Sequence, residues 1–126
     1  MENMRICIDI DGVICHIKNK NQSYVDVEPI EGASEKIKAL KDNGHYIILH
    51  TARRMKTHKG NVGSVISDIG KITIDWLEKY EIPYDEIYFG KPWANIYIDD
   101  NALRFQNWSE IDDLGQNFPT YNGLKS

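Results

Sequence analysis

Asp9 and Asp11 close a short β-branched run and are followed at once by Gly12. Residues two apart on an extended segment project to the same side. Two carboxylates placed so repel one another and need a cation or a proton between them. A second acidic pair, Asp99 and Asp100, follows another short apolar run. With all of these ionised, Lys91 offsets one negative charge and a divalent cation two. A hard, oxygen-ligated ion suits such donors, and Mg2+ commonly combines few carboxylates with waters and a substrate phosphate. Asp9, Asp11, Asp99 and Asp100 are therefore the candidate metal ligands. A carboxylate beside a cation and a lysine can attack phosphorus in line, while the positive groups stabilise charge on the phosphoryl oxygens. A second carboxylate two residues on can protonate the departing alcohol and then activate water. On this reading Asp9 is the nucleophile and Asp11 the acid/base. The hydroxyl of Thr51 and backbone N–H groups beside it, that of Ala52 included, would hold a phosphoryl oxygen. Taken alone, a DxDG stretch is equally a polar turn.

These residues need elements to deliver them. Met4–Ile8, Tyr46–His50, Ile87–Phe89 and Ile96–Ile98 are short apolar runs of the kind found in strands buried on both faces. Ala33, Ile37 and Leu40 recur at helical spacing ahead of Gly44. Val65, Ile69, Ile72, Trp76 and Tyr80 step along one face of a second helix, which should end before Pro83. Ser109–Leu114 could add a short helix. This alternation predicts an α/β domain, with an open, mostly parallel sheet and helices on both faces. Ligands of such sheets lie beyond the carboxyl ends of the strands. Asp9, Thr51, Lys91 and Asp99 each follow one of the four runs.

The chain has 126 residues, enough for one domain over 1–126. Apolar residues make up 41% and charged residues 27%, which argues against disorder. A net charge of −4 gives no general basic footprint, so no nucleic-acid partner is expected. No stretch approaches the roughly 20 apolar residues of a membrane span, and the first residues lack the zones of a secretory signal. Cys7 and Cys15 make no disulfide framework. The expected setting is cytoplasmic, with reduced thiols.

The succession IDIDGV, IILHT, GKP and YIDD resembles the four motifs of the haloacid dehalogenase (HAD) superfamily. The resemblance implies a Rossmann-like fold, Mg2+ as cofactor, and an aspartyl-phosphate on Asp9. It makes Asp11 the acid/base, Thr51 and Lys91 phosphoryl ligands, and Asp99 a direct metal ligand that Asp100 supports. An acid at position 11 favours phosphatase activity over dehalogenation. More narrowly, TARRMKTHKGNVG with IPYDEIYFGKPW is similar to small capless phosphatases of capsular polysaccharide biosynthesis. The implied substrate is a small phosphorylated metabolite: a sugar, polyol or related precursor. The sequence departs from those relatives after KPW, where Ala94-Asn95 runs almost directly into the last apolar run.

There is no room for a cap domain. Gly12–Ile30 can form only a β-hairpin flap, with VICHIK and SYVDV flanking NKNQ, which leaves an open site and room for a second subunit of a homo-oligomer to close it. Arg53 is placed to grip a substrate phosphate or carboxylate. Asn61 is either a further substrate contact or a helix cap. Trp93 could stack on substrate or pack at the rim, while Trp76 and Trp108 read as packing residues. Competing readings are a receiver-like domain, a non-catalytic phosphate- or metal-binding module, and a phosphatase acting on nucleic-acid ends. A receiver places its acidic pair first and the accepting aspartate centrally, and no aspartate ends the middle run here.

Overall fold

The computed structural model describes residues 3–119. Strand β1 spans Arg5–Asp9, β2 Tyr46–Thr51 and β3 Glu86–Phe89. They form one parallel sheet in the order β1-β2-β3, with Asp9 opposite His50 and Thr51 opposite Phe89. Helix α1 spans Ala33–Asp42 and α2 Val62–Lys79.

Side-chain alternation divides the sheet into unlike faces. Ile6 and Ile8 of β1, Ile47 and Leu49 of β2 and Ile87 of β3 share one hydrophobic cluster with Ile37 and Leu40 of α1 and Trp76 and Leu77 of α2. Both helices therefore cover the same face. Two successive right-handed crossovers that advance in one direction must do this. The expectation of helices on both faces does not hold among the described residues. The opposite face carries Cys7, Tyr46 and Tyr88, all exposed.

The helix signals act where the sequence places them. Gly44 follows the α1 cap with φ 94°, a left-handed conformation that glycine adopts without steric cost. Helix α2 stops at Lys79, ahead of Pro83. Its inward side includes Thr73 and Leu77 beside Val65, Ile69 and Trp76. The C-terminal helix shrinks to one 3-10 turn, Trp108–Glu110. No helix among the described residues is long and apolar enough to cross a membrane.

The last apolar run differs from expectation. Ile96–Ile98 forms no strand, and Ile98 is 94% exposed. Within it Tyr97 donates its hydroxyl to the Pro92 carbonyl and lays its ring against the Lys91 ammonium. Among the described residues the sheet thus has three strands rather than four.

The flap differs too. Its arms pair only at the base, where His16 N–H donates to Glu28 O at 2.9 Å and Ile30 N–H to Ile14 O at 2.8 Å, around a bridge between Cys15 and Pro29. Two indoles draw the arms inward instead. Trp76 Nε1 donates to Val27 O at 2.8 Å and Trp108 Nε1 to Val13 O at 2.7 Å. With Ile14 and Val27 fully buried, residues 12–30 form a loop pinned to the core rather than a hairpin.

Candidate functional site

Asp9 ends β1, and Lys91 follows β3 after the turn at Gly90. The Lys91 Nζ lies 3.6 Å from Asp9 Oδ1. The Lys91 N–H donates to Thr51 O at 3.1 Å, which ties this turn to the end of β2. Gly90 makes the approach possible. Its φ is 98°, and a Cβ there would come within 2.8 Å of a Val62 methyl. Burial, opposed by the ammonium of Lys91 and reinforced by the charge of Asp11, raises the Asp9 carboxyl above the usual carboxylate range. Beside them, burial and the Lys91 charge hold His50 down at about 4, so its ring is neutral near pH 7.

Asp11 is held by a second set of groups. Gly12 turns the chain at φ 87°, and N–H groups of Val13, Ile14 and Cys15 converge on Ile10 O. Thr51 Oγ1 donates to Asp11 Oδ2 at 2.9 Å and accepts from Arg53 N–H at 3.0 Å. Arg53 Nε reaches both oxygens of Asp11, at 2.9 and 3.1 Å. The rest of the guanidinium is engaged inside the protein: Nη1 donates to Thr73 Oγ1 at 3.0 Å and Nη2 to Cys15 Sγ at 3.3 Å. Thr73 in turn donates to Ile69 O at 2.7 Å. Burial and the nearby Asp11 push the Cys15 thiol up to about 11, so it stays protonated and unreactive.

Asp9, Asp11, Thr51, Arg53 and Lys91 thus lie together at the carboxyl ends of the strands. Two of them work differently from expectation. Arg53 is 3% exposed and holds Asp11 rather than reaching out to a ligand, and the Thr51 hydroxyl is likewise directed at Asp11. Asn61 is the N-cap of α2, with Oδ1 accepting from Ser64 N–H at 3.0 Å.

The acids do not gather as expected. Asp99 and Asp100 lie on the exposed stretch after Tyr97, with the Asp100 N–H donating to Asp99 Oδ1 at 2.8 Å. Among the described residues no three His, Cys, Asp or Glu side chains are grouped to hold a metal ion. Asp11 already accepts from Thr51 and Arg53, and Asp9 faces Lys91. In this arrangement the donors do not fit a Mg2+ site.

A cleft of about 270 Å³ opens beside Asp11 and Ala52. Its walls carry residues that the motif pattern did not single out. Tyr24, in the loop 12–30, has the Arg53, Arg54 and Lys18 cations over its ring at 4.2, 5.3 and 5.6 Å. Across from it the Lys56 ammonium sits 4.7 Å from the Trp93 ring. The one signal for Tyr24 was an aromatic residue closing an otherwise polar stretch, NKNQSY.

No family model matches the chain, and no curated protein matches it. Among solved structures, a chain of a Pnkp1/Rnl/Hen1 complex is similar at 22% identity with a TM-score of 0.52, over 78% of this chain and 31% of that one. This chain therefore spans about a third of that chain's length, and the likeness concerns the fold alone. A structural-genomics target from Vibrio cholerae is similar at 34% identity with a TM-score of 0.74, over 86% of each chain. At that identity and coverage, the chain belongs to the same family as the Vibrio cholerae protein.

Proposed function

We propose that this chain is a phosphomonoester hydrolase of the HAD superfamily that acts through Asp9 on a small phosphorylated sugar, polyol or related precursor. The observation that carries the reading is the Asp9–Lys91 pair at the carboxyl ends of β1 and β3, with Asp11 held beside it. The carboxylate of Asp9 attacks phosphorus, and the bond to the ester oxygen breaks. The leaving alkoxide takes a proton from Asp11. Water then attacks the phosphorus of the aspartyl-phosphate, Asp11 accepts its proton, and phosphate leaves. The Lys91 ammonium offsets charge on the phosphoryl oxygens throughout. For Asp11 to exchange protons its contact with Arg53 must loosen, so Arg53 sets where the carboxyl points. Mg2+ is the cofactor that the HAD resemblance implies for such chemistry, and the observed placement of Asp9, Asp11, Asp99 and Asp100 does not provide a site for it.

The test is phosphate release from a panel of sugar and polyol phosphates in the presence of Mg2+. Asp9→Asn should lower turnover by at least about a thousandfold, as loss of a nucleophile does. Undiminished turnover in that variant would remove the mechanism.

A further inference from the structure

The reacting pair explains one end of a substrate. The cleft beside it bears on the other end. Four cationic side chains line it, Lys18, Arg53, Arg54 and Lys56, against one acid, Asp11. Arg53 is committed to Asp11. Arg54 Nε lies 3.6 Å from Asp68 but makes no hydrogen bond although that atom is buried. Among the described residues no carboxylate pairs with Lys18 or Lys56; Lys18 Nζ donates only to Asn19 O, at 3.2 Å. The cleft therefore holds an excess of positive charge at close quarters.

The aromatic rings here seat cations. Three lie over Tyr24 and one over Trp93. Such contacts fix the direction of flexible charged groups, which reduces the entropy lost when an anion arrives. The Arg54 backbone is held at φ 60°, an uncommon conformation for a non-glycine residue. Strain of this sort persists where the surroundings enforce it and concentrates at ligand-binding sites. A neutral polyol would leave these like charges facing one another, whereas an anion would offset them.

We propose that this cleft binds a second anionic group of the substrate, so that the preferred ester carries a phosphate or carboxylate besides the phosphoryl group that reacts. Lys18, Arg54 and Lys56 grip that group while Arg53 keeps Asp11 in place. The inference rests on the hydrolase reading and narrows its substrate class.

The test compares two matched pairs of esters, glucose 6-phosphate with glucose 1,6-bisphosphate and phenyl phosphate with 4-carboxyphenyl phosphate. The full chain should favour the member with the extra anion by about tenfold or more in kcat/KM. The double variant Lys18→Ala/Lys56→Ala should abolish the preference, chiefly through KM. Lys71→Ala, which removes an exposed lysine paired with Asp75 on α2, should keep it. Calorimetric binding of glucose 1,6-bisphosphate to the Asp9→Asn protein supplies a readout free of turnover. Binding that needs Lys18 and Lys56, without phosphate release from any ester, supports the cleft and overturns the hydrolase reading. Phosphate release without any preference, or with a preference the lysine variants do not move, overturns the cleft and leaves the hydrolase standing. Neither release nor binding overturns both.

Discussion

At the scale of single residues, Arg53 is the side chain on which the candidate site depends most. A buried guanidinium with one carboxylate partner and two further contacts cannot lose that partner cheaply. The fork also cannot be copied by an ammonium, which offers one compact charge in place of several fixed donors. Arg53→Ala should therefore destabilise the fold by about 3 kcal/mol, the lower end for a broken buried pair because Asp11 keeps some exposure. Arg53→Lys should recover less than half of that, as read by urea unfolding. His50 makes a pH prediction. Its folded value is depressed to about 4, below the ordinary value near 6.5. Between these values the unfolded chain binds a proton that the folded chain does not. Stability should thus fall as pH drops from about 6.5 toward 4, and be unaffected by this group above that window. His50→Gln should flatten the slope in unfolding curves taken across it; an unchanged slope would show that the ring is not the group responsible.

At the scale of elements, two polar clamps position the strands and helices that deliver the site. Asp85 Oδ1 accepts from Lys41 Nζ at 2.7 Å, at the end of α1, and Oδ2 accepts from the Ile47 N–H at 2.8 Å, at the start of β2. The hydrogen bond from Lys41, then that from Ile47, holds its carboxyl below the usual range. A lowered carboxyl contributes stability that is present above its unfolded value, near 4, and lost as pH falls through the folded value. Asp85→Asn should remove that acid-side loss, seen as a shallower decline in melting temperature below pH 4. Asn61 is the second clamp. Asn61→Ala should cost about 1 kcal/mol through the lost cap of α2. It should leave substrate affinity unchanged, since the side chain faces Ser64. A rise in KM without loss of stability would return Asn61 to the binding surface.

At the scale of the whole molecule, the acids are divided between the sheet and an exposed stretch. Asp9 and Asp11 sit at the carboxyl ends of the strands, and Asp99 and Asp100 lie beyond Tyr97, on residues that do not join the sheet. Calorimetry without substrate should therefore detect only weak Mg2+ binding. Asp99→Asn should not change it. Tight binding that this variant abolishes would mean that residues 96–100 take another position when the ion is present. One face carries both helices and the hydrophobic cluster, and the other presents Tyr46 and Tyr88 to solvent.

Much of this was legible in the amino-acid order because its causes are local. The three strands that form are β-branched or aromatic runs bounded by turn residues. Both helices follow apolar spacing and stop at Gly44 and ahead of Pro83, where backbone sterics require it. Parallel strands joined by helices place their carboxyl ends on one rim, so Asp9, Thr51 and Lys91 could be grouped in advance. What the order of residues left open depended on partners distant along the chain. For Ile96–Ile98 the partners are nearer: the Tyr97 hydroxyl donates to the Pro92 carbonyl while its ring meets the Lys91 ammonium. Whether Arg53 faces outward or inward turns on Asp11 and Cys15 in the turn after β1 and on Thr73 of α2. The cationic cleft exists because Trp76 and Trp108 pull the loop 12–30 toward the core and bring Tyr24 to the arginines. Spacing along a chain determines which residues can share an element. Only the packed molecule decides which polar groups find one another, because each buried donor or acceptor must be satisfied by whatever the fold brings within reach.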